Sequence, residues 1–98
     1  MNPPGLVTIF NLALTTADTE YSQVLPANTK SISVQLQTAA ACRIAFVAGK
    51  VATPTAPYLT IKSGGSFSQD NINLGGSTLY AAGDAGTEVL EIICFHGG

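Results

Sequence analysis

The chain has 98 residues, which is enough for one domain with a single hydrophobic core. Only 10% of the residues are charged and the net charge is −2, whereas a typical soluble domain has about 25% charged residues. The dispersed Lys and Arg residues exclude the basic patch of a nucleic-acid-binding protein, and no apolar run is long enough for a transmembrane helix.

The N-terminal segment is predicted to be an extended arm in front of one domain at residues 6–98. It lacks the positive charge and the apolar core of a signal peptide, so we expect the protein to be made and kept in a cytoplasm. Its prolines favour an extended backbone that can lie along a neighbouring protein. The arm comprises Met1, Asn2, Pro3, Pro4 and Gly5.

The arm leads into a strongly apolar stretch at residues 6–15, in which Thr8 and Asn11 are interleaved with Val, Ile, Phe and Leu. Such a run is typical of a strand that is covered on both faces or that pairs with another subunit. A polar turn follows at residues 16–19, where we expect the Asp18 side chain to bond to the backbone.

The clearest strand pattern lies at residues 30–37, where apolar and polar residues alternate strictly. This is the period of a strand with one buried face. A strand at residues 20–25 precedes it, and the connecting loop contains Asn28, which tolerates a left-handed backbone. We expect the two strands to pair in an antiparallel manner.

Short apolar stretches separated by Gly-, Pro- and Asn-rich turns predict the remaining strands. Ile44 and Phe46 are expected to lie on one face of their strand, Leu59 and Ile61 are expected to face the core, and Phe67 is expected to be a core residue. These strands are predicted at residues 42–47, 58–62, 66–69, 77–81 and 87–95.

The spacing of these strands defines the predicted fold class. About eight short strands, with turns every 8–12 residues or so, are typical of a sandwich or barrel. No amphipathic helix of useful length and no internal repeat is present. We therefore predict an all-β, two-sheet antiparallel β-sandwich of jelly-roll type, because that architecture suits a domain of this size.

The last predicted strand has two apolar faces. Leu90, Ile92 and Cys94 lie on one face, and a second apolar set lies on the other beside Glu91. A sandwich strand needs only one apolar face, so a second subunit is the simplest cover for the other. The alternative is that the terminal strands lie in the middle of the fold, under a loop. The residues predicted to mediate self-association are Val89, Ile93 and Phe95.

No residue set predicts a reaction, and we expect no catalytic, cofactor-binding or metal site. His96 is the single histidine and is expected to be exposed and inert. Asp70 with nearby asparagines suits a turn better than a calcium loop. Glu88 and Glu91 fall on opposite faces of a strand, so they cannot converge as a glycosidase pair and are expected to be solvated.

The two cysteines, Cys42 and Cys94, are predicted to be small buried hydrophobes in a reducing compartment. A disulfide remains the alternative if their strands pair.

Several short sequence pieces between residues 12 and 95 form a recognisable set. They are Thr19-Glu20-Tyr21, Leu25-Pro26 ahead of Lys30, the alternating residues 31–37, Phe67 with Asp70, Leu79-Tyr80 and Glu88-Val89-Leu90-Glu91-Ile92. In this combination the chain resembles small structural proteins of tailed bacteriophages, most of all the capsid decoration (cement) proteins built on a jelly-roll-like sandwich.

This resemblance implies a non-enzymatic protein on the outer surface of a virion. Its copies, as a homo-oligomer with a trimer favoured, would bridge subunits of the major capsid protein without binding nucleic acid or membrane. The arm at residues 1–5 would contact the capsid or a neighbouring copy. A tail or head–tail junction protein is one alternative. A carbohydrate-binding module is another, in which Tyr21, Tyr58 and Tyr80 would form the stacking platform.

Overall fold

The computed structural model describes residues 6–37, 40–70, 76–84, 86 and 88–96, so the predicted arm at residues 1–5 lies outside the described part of the chain. The described residues form eight strands and no helix. The strands are β1 (Leu6–Leu14), β2 (Tyr21–Val24), β3 (Thr29–Leu36), β4 (Cys42–Ala45), β5 (Leu59–Ile61), β6 (Ser66–Gln69), β7 (Thr78–Gly83) and β8 (Glu88–His96).

The strands form two antiparallel sheets with the orders β1-β8-β3-β6 and β2-β7-β4-β5. The chain crosses from one sheet to the other after every strand except β4, which pairs with β5. This connectivity is that of a jelly roll. The predicted two-sheet β-sandwich is therefore confirmed.

The predicted pairing of β2 with β3 is wrong, because the two strands belong to different sheets. Residues 25–28 connect them, and four extended residues span about 13 Å. That length is enough to cross the ~10 Å between packed sheets. Asn28 has the left-handed backbone predicted for it, with φ of 61°. The alternation pattern gave the buried face of β3 correctly but could not distinguish a hairpin from a crossover.

The inward-facing side chains of both sheets form one core. Phe67 packs against this core, as predicted. A smaller cluster on the outer face of the second sheet contains Tyr80 and is covered by Val51 from the loop between β4 and β5. The fully buried members of the main core include Leu14, Leu25, Ile32, Val34, Cys42, Ile44, Ile61, Leu79, Ala81, Leu90, Ile92 and Cys94.

Leu59 is exposed, contrary to the prediction that it faces the core, and Phe46 is exposed and does not share a strand face with Ile44 as predicted. β4 ends at Ala45, so Phe46 lies in the loop that follows. Leu59 pairs directly with buried Ile44, but β5 is a three-residue strand at the edge of its sheet. An edge position leaves the side chain without a neighbouring strand on its outer side.

Cys42 and Cys94 are buried free thiols in different sheets, which confirms their prediction as small buried hydrophobes. Burial raises the pKa of Cys42 to about 11, and the carboxylates of Glu88 and Asp84 add to this effect while Arg43 opposes it. Burial also raises the pKa of Cys94. Both thiols are therefore protonated in the folded protein at neutral pH.

The raised pKa of Cys42 predicts a loss of stability in alkaline solution. Unfolding returns the thiol to its ordinary pKa of 9.0, so the stabilisation is complete below that pH and disappears as pH rises towards 11. We expect a loss of about 2–3 kcal/mol across this range. Urea denaturation of the wild type and of Cys42→Ala checks this, because only the wild type should show the Cys42 contribution. Identical pH slopes for the two proteins would contradict it.

Candidate functional site

The outer face of the β1-β8-β3-β6 sheet carries an exposed apolar surface at one end. The register places Val7 beside Phe95 and Ile9 beside Ile93. Val7, Ile9 and Phe95 are 55%, 61% and 45% exposed, and Ile93 is half-buried. Because side chains alternate along a strand, these four point away from the core that Ile92 and the other inward residues fill. We call Val7, Ile9, Ile93 and Phe95 the outer patch.

The predicted self-association residues divide between two parts of this face. Ile93 and Phe95 lie in the outer patch, whereas Val89 lies at the opposite end of β8, paired with Ala13. Val89 and Ile93 are four positions apart along the strand, which is about 13 Å. Sequence reasoning missed Val7 and Ile9 as members of the patch. The sequence feature that could have found them is the stretch at residues 6–15, which is apolar on both faces of its strand. Only the β1–β8 register shows that this stretch lies beside Ile93.

β8 is an interior strand of its sheet, yet the exposed ends of Phe95 and Val7 show that no described loop covers this part of it. The alternative in which the terminal strands lie in the middle of the fold, under a loop, is therefore wrong for the outer patch.

Between the outer patch and the pair formed by Ala13 and Val89, the outer face is polar and nearly neutral. Glu91 lies between Asn11 on β1 and Gln35 on β3. Gln35 donates a hydrogen bond from Nε2 to Glu91 Oε1 at 2.9 Å, and Gln37 donates from Nε2 to Oε2 at 3.3 Å. These amides hold the carboxylate on the sheet surface. The polar side chains therefore mark where the apolar surface ends.

An open depression of about 540 Å³ adjoins the outer patch on the β3–β6 side. Its floor includes a pair of hydroxyls, in which Ser68 Oγ donates to Ser33 Oγ at 3.0 Å. Hydroxyl, amide and apolar groups dominate the lining, so the depression suits a protruding neutral side chain of a partner. The lining residues are Ser31, Ile32, Ser33, Ser68, Gln69, Asp70 and Phe95.

His96 is part of β8 and is half-buried, contrary to the prediction of an exposed chain end. β8 continues to this residue because it pairs with Leu6 on one side and Thr29 on the other. His96 Nε2 and Thr8 Oγ1 are 2.7 Å apart and hydrogen-bonded. The imidazole therefore fixes the end of the β1–β8 pair, on the face opposite the outer patch.

The acidic residues considered for a glycosidase pair or a calcium loop do not converge on one place. Glu88 and Glu91 lie on opposite faces of β8, as predicted, but Glu88 is only 2% exposed and is not the solvated charge that was expected. Its carboxylate lies against the backbone of Gly83, where an added Cβ would be 2.7 Å from Oε1. The missing side chain at Gly83 makes room for this buried carboxylate. Asp70 is exposed, and Asn71 and Asn73 lie outside the described residues.

Arg43 joins three separate segments at one end of the sandwich, a role that the sequence did not predict. Its side chain is 12% exposed. Nε donates to the carbonyl of Val51 at 2.7 Å, Nη1 to Asp84 at 3.0 Å and Nη2 to Asp18 at 2.6 Å. Asp18 was expected to bond to the backbone of its own turn. Its carboxylate instead holds Arg43, while its backbone N–H donates to Gly83 O.

The three tyrosines do not form one platform. Tyr21 packs against the main core, and its hydroxyl accepts a hydrogen bond from the backbone of Thr16. Tyr80 packs in the smaller cluster on the other face of the same sheet. Tyr58 is the most exposed of the three. Tyr21 and Tyr80 therefore cannot stack on one face of a sugar.

Comparisons with known proteins found no matching family model, no matching curated protein and no matching solved structure. Within the described residues, no helix is long and apolar enough to cross a membrane. The same residues contain no group of three or more His, Cys, Asp or Glu side chains placed to hold a metal ion. The outer patch with its adjoining depression is therefore the candidate functional site that the geometry offers.

Proposed function

We propose that this chain is a non-enzymatic structural protein of a phage virion, and that it decorates the outer surface of the capsid as an oligomer. The outer patch is the surface through which it contacts the major capsid protein and neighbouring copies. Exposed apolar side chains on two adjacent strands, in a protein with few charges, carry this proposal. The resemblance to decoration proteins and the jelly-roll topology support it.

The size of the outer patch indicates that one contact is not enough for stable attachment. Complete burial of a large apolar side chain stabilises a contact by about 1.5–3 kcal/mol. The four side chains are about half exposed, so together they contribute on the order of 3–6 kcal/mol. Association itself costs roughly 4–15 kcal/mol. Several linked contacts on one shell overcome that cost, which is why an oligomer suits the role.

The polar surroundings of the patch define the kind of partner. Glu91 is already held by two glutamine amides, and the adjoining depression is mainly neutral. A partner surface that is apolar at its centre and carries hydroxyl or amide groups around it fits this face. Binding of this kind depends little on salt, because few exposed charges are paired across the contact.

Co-sedimentation with capsids that lack their decoration protein tests the proposal. We expect the purified protein to sediment with these particles to a fixed saturation, and to do so equally at low and high salt. A version lacking residues 2–5 tests the arm separately, and reduced occupancy is the expected result. Binding to isolated tails instead would place the protein there, and absence from both particles would contradict a virion role.

A further inference from the structure

The long edge of β1 is built differently from the other sheet edges. The remaining edge strands, β2, β5 and β6, have four, three and four residues. β1 has nine residues without a proline or a charged side chain. Its register with β8 runs through all nine residues without a bulge. Natural proteins protect exposed edges by short length, charges, proline or bulges, and β1 has none of these.

The backbone of β1 has partners on only one side within the described part of the chain. All its strand pairing is with β8, and no other described backbone hydrogen bond involves residues of β1. In an antiparallel pair, alternate residues direct their N–H and C=O groups away from the partner strand. The outer edge of β1 therefore presents a row of donors and acceptors that fits another strand.

The core beneath β1 is open on the same side. Phe10 pairs with Ile92, and Leu12 pairs with Leu90. The two β8 residues are fully buried, whereas Phe10 and Leu12 are only half-buried. A strand added beside β1 would cover these side chains as well as satisfy the backbone. Hydrogen bonding and apolar burial thus favour the same addition.

We propose that β1 of one copy pairs with β1 of a second copy, antiparallel and about a two-fold axis, so that the two sheets become one of eight strands. The two paired strands are identical, so they are equally long and neither carries a charged side chain. In a two-fold contact each favourable interaction occurs twice. The net charge of −2 opposes this approach only weakly.

This pairing also places the two outer patches on one side of the joined sheet. When the two β1 strands pair over their full length, Ile9 lies opposite Asn11 of the second copy and Val7 lies opposite Ala13 of the second copy. The result is two outer patches that face the same side of the joined sheet, one on each side of the two-fold axis. This goes beyond the proposed function, since it specifies two copies joined through a strand edge. A trimer would have to form through other surfaces.

Hydrogen exchange combined with light scattering tests the pairing on the wild-type protein. We expect the mass of a dimer, with alternate amides of β1 becoming protected as protein concentration increases. A monomer at all concentrations, or a dimer whose β1 amides exchange as fast as those of the monomer, would overturn the proposal. Neither result depends on capsid binding, so a protein that binds capsids as an oligomer joined through other surfaces would refute the pairing and leave the proposed function intact.

A matched pair of variants supplies the second test. Asn11→Lys with Ala13→Lys adds charge to exposed positions of the β1 edge. Ser22→Lys with Val24→Lys adds the same charge to exposed alternate positions of another edge strand, β2 of the second sheet. We expect the first variant to raise the dimer dissociation constant by about tenfold or more and the second to leave it near the wild-type value. Equal effects of the two would overturn the proposal.

Discussion

Replacing Ile93 with Asp is expected to abolish capsid binding while the sandwich stays folded. Ile93 lies in the outer patch between Ile9 on β1 and Ser33 on β3, and its side chain points away from the core. A carboxylate placed in an apolar contact loses its water without gaining a partner, which costs several kcal/mol. A cost of about 3 kcal/mol weakens each contact roughly 100-fold.

The measurement is co-sedimentation of the variant with undecorated capsids, together with circular dichroism to establish that the fold is retained. Val89→Asp is the matched control, because Val89 lies on the same face of the same strand but outside the outer patch. We expect Val89→Asp to bind almost as well as the wild type. Equal losses for the two variants would show that the outer patch is not the contact.

Replacing Arg43 with Met is expected to reduce the free energy of unfolding by about 2–4 kcal/mol. Asp18 and Asp84 are well exposed, so each ion pair contributes only a few tenths of a kcal/mol to about 1 kcal/mol. The larger part of the loss comes from the carbonyl of buried Val51, which would lose its hydrogen-bond donor. An unpaired buried carbonyl costs about 1–3 kcal/mol.

Urea denaturation of Arg43→Met checks this expectation. Lys62→Met is the control, since it removes the same charge from an exposed position just after β5. We expect the control to change the free energy of unfolding by less than about 0.5 kcal/mol. If both variants lost the same amount, the cost would come from the charge alone and not from the contact with Val51.

The sequence predicted the strands well because each strand has a local signature. Ser66–Gln69 has the predicted bounds, and β3 and β8 differ from theirs by one residue at each end. Alternation also gave the buried face of β3, because the side-chain period depends on the backbone alone. The same reasoning failed for Leu59, because this residue lies on β5, a short edge strand with no neighbouring strand on its outer side.

The pairing of strands was harder to predict, because it depends on contacts between residues far apart in the chain. The sequence identified Ile93 and Phe95 as apolar outward residues. It did not reveal that Val7 and Ile9 lie beside them, since that follows from the β1–β8 register. The three hydrogen bonds of the Arg43 side chain were missed for the same reason, because its partners at residues 18, 51 and 84 belong to three different segments.

An electron microscopy map of capsids decorated with the purified protein tests the central claim most directly. The account predicts that the outer face of the β1-β8-β3-β6 sheet lies against the shell or against neighbouring copies, with Ile93 and Phe95 no longer exposed. A map in which the β2-β7-β4-β5 sheet makes the contacts, and the outer patch faces solvent, would contradict it.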